Sequence, residues 1–282
     1  MDFYDAHVHY LSSGSPMEHD AGWVHARNRG LKGIAAIIIG YHPGDRSHCL
    51  SLIPTSYHDR IDQSCFDRPS NPDSRIPDDF LGIPLFPYLD ARYIDDKNSD
   101  LRFFRDAGFR GLKVLYVPED DREYGLSGWE KLFGRSMRAS ENLTARLVEQ
   151  AADFHWPVIF HVDLRRYSPF AEDLMKTFPG IPFIIPHFGF SRKAVQKVLS
   201  RLEHVRTDFS SLLPFMEREP EQYADFIGAN SERVLFGSDS CLGWTEQLLG
   251  YLDFVEQKLK SEEVRSRVLR ENYLHIHGDG KQ

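Results

Sequence analysis

The sequence predicts a (β/α)8 TIM barrel that occupies the whole chain, and three observations favour this fold class. Eight short apolar, β-branched or aromatic runs recur along 282 residues, with polar, helix-like segments between them. The runs are apolar nearly throughout, as is typical of strands buried on both faces of a parallel sheet. Eight such units suit one barrel domain of about 250 residues. We therefore expect residues 1–282 to form a single domain.

The predicted strands have the length at which a buried strand is favoured over a helix. They comprise residues 2–9, 33–40, 83–90, 111–117, 157–161, 181–187, 205–209 and 234–237. A doubly wound open sheet is the alternative, but no G-x-G-x-x-G turn follows any of these runs. The barrel therefore remains the favoured architecture.

The helix-like segments are recognised by their end signals and apolar stripes. Gly108 is a candidate C-cap, Ser191 a candidate N-cap, and Pro220 suits a first turn. The predicted helices comprise residues 101–107, 141–154, 191–202, 220–226, 246–259 and 261–276. We expect the C-terminal helices, within about residues 246–278, to pack on the barrel.

Two long segments interrupt the alternation, residues 41–79 after the second strand and residues 117–139 after the fourth. In a barrel both lie on the C-terminal face, where long loops form lids or binding walls. Solvated surface loops are the other interpretation.

Composition argues against several function classes. The formal net charge is −8 and no basic run occurs, which disfavours a nucleic-acid-binding groove. Three scattered cysteines without a C-x-x-C pair make a poor disulfide framework. The longest apolar run, near residues 34–39, is far shorter than the ~20 residues of a membrane helix. We expect a soluble cytoplasmic protein that binds neither nucleic acid nor membrane.

The first strand carries an alternating group of polar side chains. In "DAHVH", Asp5, His7 and His9 alternate with Ala6 and Val8, so strand geometry places the three polar residues on one face. Two histidines about 6.6 Å apart along a strand can share a metal ion. Alternatively, both are satisfied by hydrogen bonds in a half-buried strand.

Further residues of metal-ligand type end other predicted strands. His161 ends "PVIFH", His187 ends "IPFIIPH", and Asp239 follows "VLFGS". Strand ends of a barrel meet at one mouth, where active sites form. Their convergence with His7 and His9 indicates a metal site there.

These motifs resemble the amidohydrolase superfamily of metal-dependent hydrolases, and most closely its amidohydrolase family 2 branch, which includes decarboxylases and lactonases. The matching segments are "DAHVH", "GFRGLKV" from Gly108, "FHVD" from Phe160, "PHFG" from Pro186, "FGSD" from Phe236 and the closing "VLRENYLHIHG". They span nearly the whole chain in the expected order.

The resemblance implies a role for each site residue. His7, His9 and His161 would be metal ligands, and Asp239 a ligand or the partner of a metal-bound water. His187 would polarise the substrate or move a proton, and Asp5 would support the first strand from behind the ligands. Lys113 would bridge a second metal if carboxylated; otherwise it pairs with an acid or touches substrate.

The implied activity is attack on an amide, lactone or ester carbonyl of a small molecule by water activated on one divalent ion. Zinc is the first choice, with manganese or iron as alternatives. Four other functions stay open: decarboxylation of a small carboxylic acid, TatD- or PHP-type phosphoester hydrolysis, a metal-free lactonase and a non-catalytic binding protein. A homodimer is also compatible with the resemblance.

Substrate contacts are expected from other strand ends, and a carboxylate-bearing substrate would suit the arginines there. The candidates are His42, Arg92, Tyr116 and Arg165, with Tyr41, Asp90 and Arg166 beside them; each is also compatible with a surface role. His48 and His58 are expected in solvent, and Trp244 walls the pocket or packs. His275 and His277 lie on a predicted helix, where residues two apart do not face each other, so we expect surface or crevice positions.

Overall fold

The computed structural model describes residues 1–11, 21–39, 76–94, 99–121, 127–241 and 245–278. Ten strands occur in this part of the chain. They are β1 Phe3–Leu11, β2 Leu31–Ile39, β3 Asp79–Phe80, β4 Ile83–Asp90, β5 Gly111–Tyr116, β6 Val158–Val162, β7 Phe183–Ile185, β8 Val205–Asp208, β9 Val234–Leu235 and β10 Ser240–Cys241.

Eight parallel strands form the barrel that the sequence predicts. The order is β1-β2-β4-β5-β6-β7-β8-β9, and the short β3 pairs antiparallel with β4 outside this ring. The eighth strand is interrupted: β9 pairs with β8, and β10 pairs with β1. Between them, Ala6 N–H donates to Phe236 O at 2.8 Å. The segment from β9 to β10 therefore connects the last strand to the first.

Helices alternate with the strands around the outside. They are α1 Ala21–Asn28, α2 Leu101–Asp106, α3 Trp129–Phe133, α4 Met137–Asp153, α5 Leu164–Thr177, α6 Arg192–Leu199, α7 Leu213–Arg218, α8 Pro220–Ala229, α9 Glu246–Lys258, α10 Glu262–Ser266 and α11 Asn272–His277. A π-helical turn, Arg267–Glu271, joins α10 to α11 where one helix was expected. None of the described helices is long and apolar enough to cross a bilayer.

Two apolar layers hold the barrel together. Its interior is filled by small and branched side chains such as Ala35, Ile37, Ile159 and Ile184. A larger outer layer lies between the strands and the helices, and it includes residues of α4, α5, α6 and α9. Strand alternation sends successive side chains into one layer or the other.

The C-terminal helix α11 packs at the end of the barrel where the strands begin, opposite their C-terminal ends. Tyr273 stacks on Tyr4, with ring centroids 4.8 Å apart. Tyr88 O–H donates to His277 Nε2 at 2.7 Å, and His277 Nδ1–H donates to Tyr273 O at 3.1 Å. His277 is therefore buried, contrary to the surface or crevice position expected for it, whereas His275 is exposed.

The predicted long loops are only partly within the described residues. Residues 40–75 after β2 lie outside them, as do residues 122–126 after β5. The predicted loop at residues 117–139 contains α3, whose N-terminal Trp129 is buried against Leu115 and Val117. This part of the predicted loop therefore forms a short helix that packs against the end of β5.

Candidate metal centre and active site

His7, His9 and Asp239 come together where β1 meets the eighth strand. His9 Nε2 lies 2.9 Å from Asp239 Oδ1, and His7 Nε2 lies 3.2 Å from the same oxygen. One ligand atom from each side chain falls within 4.8 Å of the other two. Three of the four predicted metal ligands therefore share one point.

The three side chains differ in exposure, and this shows where the centre opens. The His7 side chain is 1% exposed, whereas those of His9 and Asp239 are each 19% exposed. His7 therefore forms the floor of the centre, and a small molecule would approach from the side of His9 and Asp239.

An unusual backbone conformation directs Asp239 towards the histidines. Asp239 has φ 58°, in a region that L-residues enter at a cost of roughly 1–3 kcal/mol. Its N–H donates to His7 O at 2.8 Å, and Ser211 O–H donates to its Oδ2. A side chain at Gly237 would lie 3.1 Å from both Asp208 and His7, so glycine allows the eighth strand to approach β1 closely.

Asp5 joins the first strand to the eighth. Its Oδ1 accepts from His7 N–H at 3.0 Å and from Ser238 N–H at 3.1 Å, while Oδ2 accepts from Ser238 O–H at 2.5 Å.

The β1 register shifts between Asp5 and Val8, so Ala6 lies in the barrel interior and Val8 in the outer layer. The strict alternation expected for "DAHVH" is therefore wrong, although His7 and His9 still converge.

Asp208 and Ser210, at the end of β8, are central to the site, and the sequence interpretation missed them. Asp208 Oδ2 lies 3.1 Å from His7 Nδ1, and Ser210 Oγ lies 3.2 Å from that nitrogen. Both residues are fully buried. The signal was available in "VRTDFSS", where a carboxylate ends a predicted strand just as His161 does.

His187 lies on a left-handed turn that the predicted strand did not anticipate. Residues from His187 to Phe190 all have φ between 52° and 62°. Glycine is required at one of them, because a Cβ on Gly189 would lie 2.5 Å from the Leu164 side chain. The turn brings the His187 ring within 5.4 Å of the His7 ring, measured between centroids.

His161 lies at the same mouth but outside the three-residue cluster. Its ring is 5.1 Å from the His187 ring and 5.1 Å from the Phe190 ring. Burial lowers the pKa of His161 well below its usual value, and His187 and Lys113 lower it further. His161 is therefore neutral at neutral pH, as a metal ligand must be; its ligand role stays a prediction.

Two buried cations flank the centre. Lys113 Nζ lies 3.3 Å from His7 Nε2, and the lysine is 2% exposed. Burial lowers the pKa of Lys113 to about 8, against the opposing effect of Asp239 and Asp208. Arg92 is 7% exposed and pairs with Asp90 at 2.7 Å.

The remaining substrate candidates occupy different surroundings. Tyr116 faces the outer layer, where its ring centroid is 4.7 Å from that of Phe170. Arg165 is half-exposed and pairs with Asp163 at 2.9 Å. Arg166 pairs with Glu119. Tyr41, His42, His48, His58 and Trp244 lie outside the described residues.

The charges of the centre favour a cation. Burial raises the pKa of Asp239, but His7 and His9 outweigh it and hold that pKa well below the usual value. Burial and Lys113 lower the pKa of His7, yet Asp239 and Asp208 raise it overall. Burial lowers the pKa of His9 to about 4. Two ionised carboxylates thus draw positive charge to the His7 ring.

The donor set fits a divalent metal ion. We assign the Nδ1 proton of His7 to its contact with Asp208, which leaves the Nε2 lone pair facing Asp239 Oδ1. Two acceptors 3.2 Å apart repel unless a cation or a proton lies between them. A carboxylate behind a ligating histidine is the usual support in metal sites. Imidazole and carboxylate ligands suit zinc, manganese or iron.

Solved structures with the same fold resemble this chain at low identity. A 2,6-dihydroxybenzoate decarboxylase from Rhizobium is 13% identical, with a TM-score of 0.56 and coverage of 98% of each chain. An amidohydrolase from Burkholderia multivorans is 15% identical, with a TM-score of 0.57, covering 98% of this chain and 99% of that one. L-Hydantoinase from Arthrobacter aurescens is 13% identical, with a TM-score of 0.56, covering 98% and 70%.

At these identities the likeness concerns the fold alone. No curated protein matches the chain. A family model described as Amidohydrolase matches residues 4–272, which include His7, His9, His161, His187 and Asp239. The match runs from the first strand to α11. This chain belongs to the amidohydrolase family.

Proposed function

We propose that this chain is a divalent-metal-dependent hydrolase that cleaves an amide, lactone or ester bond of a small, carboxylate-bearing molecule in the cytoplasm. The convergence of His7 Nε2 and His9 Nε2 on one oxygen of Asp239, at 3.2 and 2.9 Å, carries the proposal. His161 would complete the ligand set. We favour a single zinc ion, because the three clustered ligand atoms define one point.

A bound divalent ion would supply Lewis acidity, which polarises a carbonyl group and lowers the pKa of water towards about 7. Asp239, ionised and oriented by Ser211, accepts the proton of the attacking water. His187 donates its Nδ1–H to Ser210 O at 2.7 Å, which leaves Nε2 for the reaction. Nε2 can take from Asp239 the proton removed from water and deliver it to the leaving group, which restores both residues.

Metal removal tests the proposal directly. Purified protein is expected to contain about one equivalent of divalent metal, and chelation should abolish hydrolysis of a panel of lactones, esters and amides. Adding back zinc, manganese and iron separately should restore activity and identify the working metal. Full hydrolytic activity after complete chelation would overturn metal dependence, and metal content near two equivalents would favour a bridging Lys113.

Decarboxylation is the second candidate, and the buried cations favour it. Arg92 lowers the pKa of both His9 and Lys113, so its charge lies near the metal centre and could hold a carboxylate that is to be lost. Release of CO2 from aromatic carboxylic acids, without hydrolysis of the ester and lactone panel, would establish this reaction instead.

Arg92 is our candidate for recognising the substrate carboxylate. Asp90 accepts from Arg92 N–H at 3.1 Å and also pairs with its guanidinium, so the arginine is held in place before substrate arrives. The Arg92→Met variant is expected to raise KM roughly 10- to 100-fold with little change in kcat, as for loss of a hydrogen bond to a charged group. Steady-state kinetics measures both constants.

Two further variants make this prediction specific. Arg92→Lys keeps the charge but not the two-pronged geometry, so its KM should lie between those of the wild type and Arg92→Met. Arg165→Met removes a half-exposed arginine paired with Asp163 and should leave KM unchanged. An equal effect at both arginines would contradict the assignment.

A further inference from the structure

We infer that Asp208 and Ser210 link the metal centre to His187, so that occupation of the centre sets the orientation of the acid–base residue. This inference rests on the proposed function. It assigns to the end of β8 a positioning role that no family motif in the sequence indicated.

One carboxylate contacts both parts of the site. Asp208 Oδ2 accepts from His7 Nδ1–H at 3.1 Å. Its other oxygen, Oδ1, accepts from the backbone N–H of His187 at 3.1 Å and from Ser210 N–H at 3.0 Å. Asp208 is fully buried, so no solvent competes for these hydrogen bonds. Any rotation of the carboxylate therefore disturbs His7 and His187 together.

Ser210 makes the second connection. Its hydroxyl donates to Asp208 Oδ1 at 2.6 Å and lies 3.2 Å from His7 Nδ1 and 2.9 Å from His187 Nδ1. Its carbonyl oxygen accepts from His187 Nδ1–H at 2.7 Å. The same residue thus fixes the His187 tautomer and touches the ring that would hold the metal.

The backbone at His187 explains why this support matters. The φ of 57° at His187 belongs to a left-handed turn, and such a conformation persists only where the surroundings impose it. The hydrogen bond from His187 N–H to Asp208 supplies part of that constraint. On its other side, His7 Nε2 lies 3.2 Å from Asp239 Oδ1 and 3.3 Å from Lys113 Nζ. An ion on Nε2 would fix the His7 ring, then Asp208, then His187.

The Asp208→Asn variant tests the link by two measurements that need no turnover. Zinc affinity is measured by competition with a chromophoric chelator. Histidine tautomers are measured by long-range ¹⁵N–¹H correlation spectra with and without zinc. In the wild type, zinc should shift the His187 ring nitrogens while His187 stays in the Nδ1–H tautomer that Ser210 fixes. In Asp208→Asn, zinc affinity should fall roughly 10- to 100-fold, and at saturating zinc His187 should show mixed tautomers.

Thr207→Val is the matched control. Thr207 is buried on the same strand, and its hydroxyl donates to Ile185 O at 2.6 Å rather than to a histidine or to the Asp208 carboxylate. This variant should keep wild-type zinc affinity and the wild-type His187 response. Should Asp208→Asn fail to fold, Ser210→Ala removes only the hydroxyl, and the His187 response to zinc should then shrink.

The outcomes separate this inference from the proposed function. A wild-type chain that binds zinc while His187 does not respond overturns the link alone, as does an undiminished response in Asp208→Asn or, if that variant does not fold, in Ser210→Ala. A wild-type chain that binds no zinc overturns the metal-dependent function and the link with it.

Discussion

Replacing Asp239 with asparagine is expected to remove both metal and activity. The carboxylate is the point on which His7 Nε2 and His9 Nε2 converge, and it is the only acid in the three-residue ligand cluster. The asparagine amide carries no net charge. The site therefore loses the negative charge that would offset the charge of a bound cation. Zinc affinity should fall by more than the roughly 10- to 100-fold typical of an outer partner, and turnover by roughly 10²–10⁴.

A matched substitution distinguishes a ligand effect from general damage to the barrel. Asp163 is another buried carboxylate at a strand end, but it holds Arg165 through a contact of 2.9 Å. Asp163→Asn should keep the wild-type metal content, measured by inductively coupled plasma mass spectrometry. Wild-type metal content and rate in Asp239→Asn would show that the catalytic centre lies elsewhere.

Acid is expected to destabilise the protein through His277. Burial lowers the pKa of His277 from 6.5 to about 3, against a small opposing effect of the Tyr273 carbonyl. The folded state therefore favours the neutral ring, and the stabilisation is complete above pH 6.5. Stability is lost as the pH falls below 6.5, because His277 takes up a proton in the unfolded chain but stays neutral in the folded chain. At pH 5 the loss is about 2 kcal/mol.

The His277→Gln variant isolates this contribution. Glutamine can still accept from the Tyr88 hydroxyl but does not titrate. Urea unfolding at pH 7.5 and pH 5, with chelator present, gives the free energy of unfolding of each protein. On going to pH 5, the variant should gain about 2 kcal/mol relative to wild type. The control is His275→Gln, exposed on the same helix, which should follow the wild type at both pH values. An unchanged difference between His277→Gln and wild type would contradict the burial of His277.

The sequence indicated most of the barrel because buried strands are apolar runs, and such runs are visible without tertiary information. The predicted strand at residues 83–90 matches β4 in full, and the others differ by a few residues at their ends. Helix α5 was not predicted, because Pro169 and the polar residues before it interrupt the apolar stripe. Its buried face, formed by Leu164, Ala171, Leu174 and Met175, packs in the outer apolar layer and stabilises this helix.

The site was predictable where a strand ended in a histidine. The backbone conformation that positions two of the predicted residues was not predictable. Asp239 and His187 both have positive φ, a conformation that ordinary residues rarely adopt and that their sequence does not signal. Asp208 carried the local signal of a carboxylate at a strand end, but its partner His7 could not be recognised, because 201 positions of chain separate the two residues. Such a pairing exists only once the barrel has closed.

The interrupted eighth strand connects the candidate metal centre with the closure of the barrel. His7 and His9 belong to the first strand, whereas Asp239 directly precedes β10 in the last one. The clustered side chains therefore come from the two strands that pair to close the barrel. Joining these strands closes a loop of more than two hundred residues, the most entropically demanding step in assembling such a ring. A metal ion held by ligands from both strands would bind the closed barrel in preference to an opened one. Raising the free concentration of that ion would therefore lower the fraction of molecules in which the first and last strands are separated.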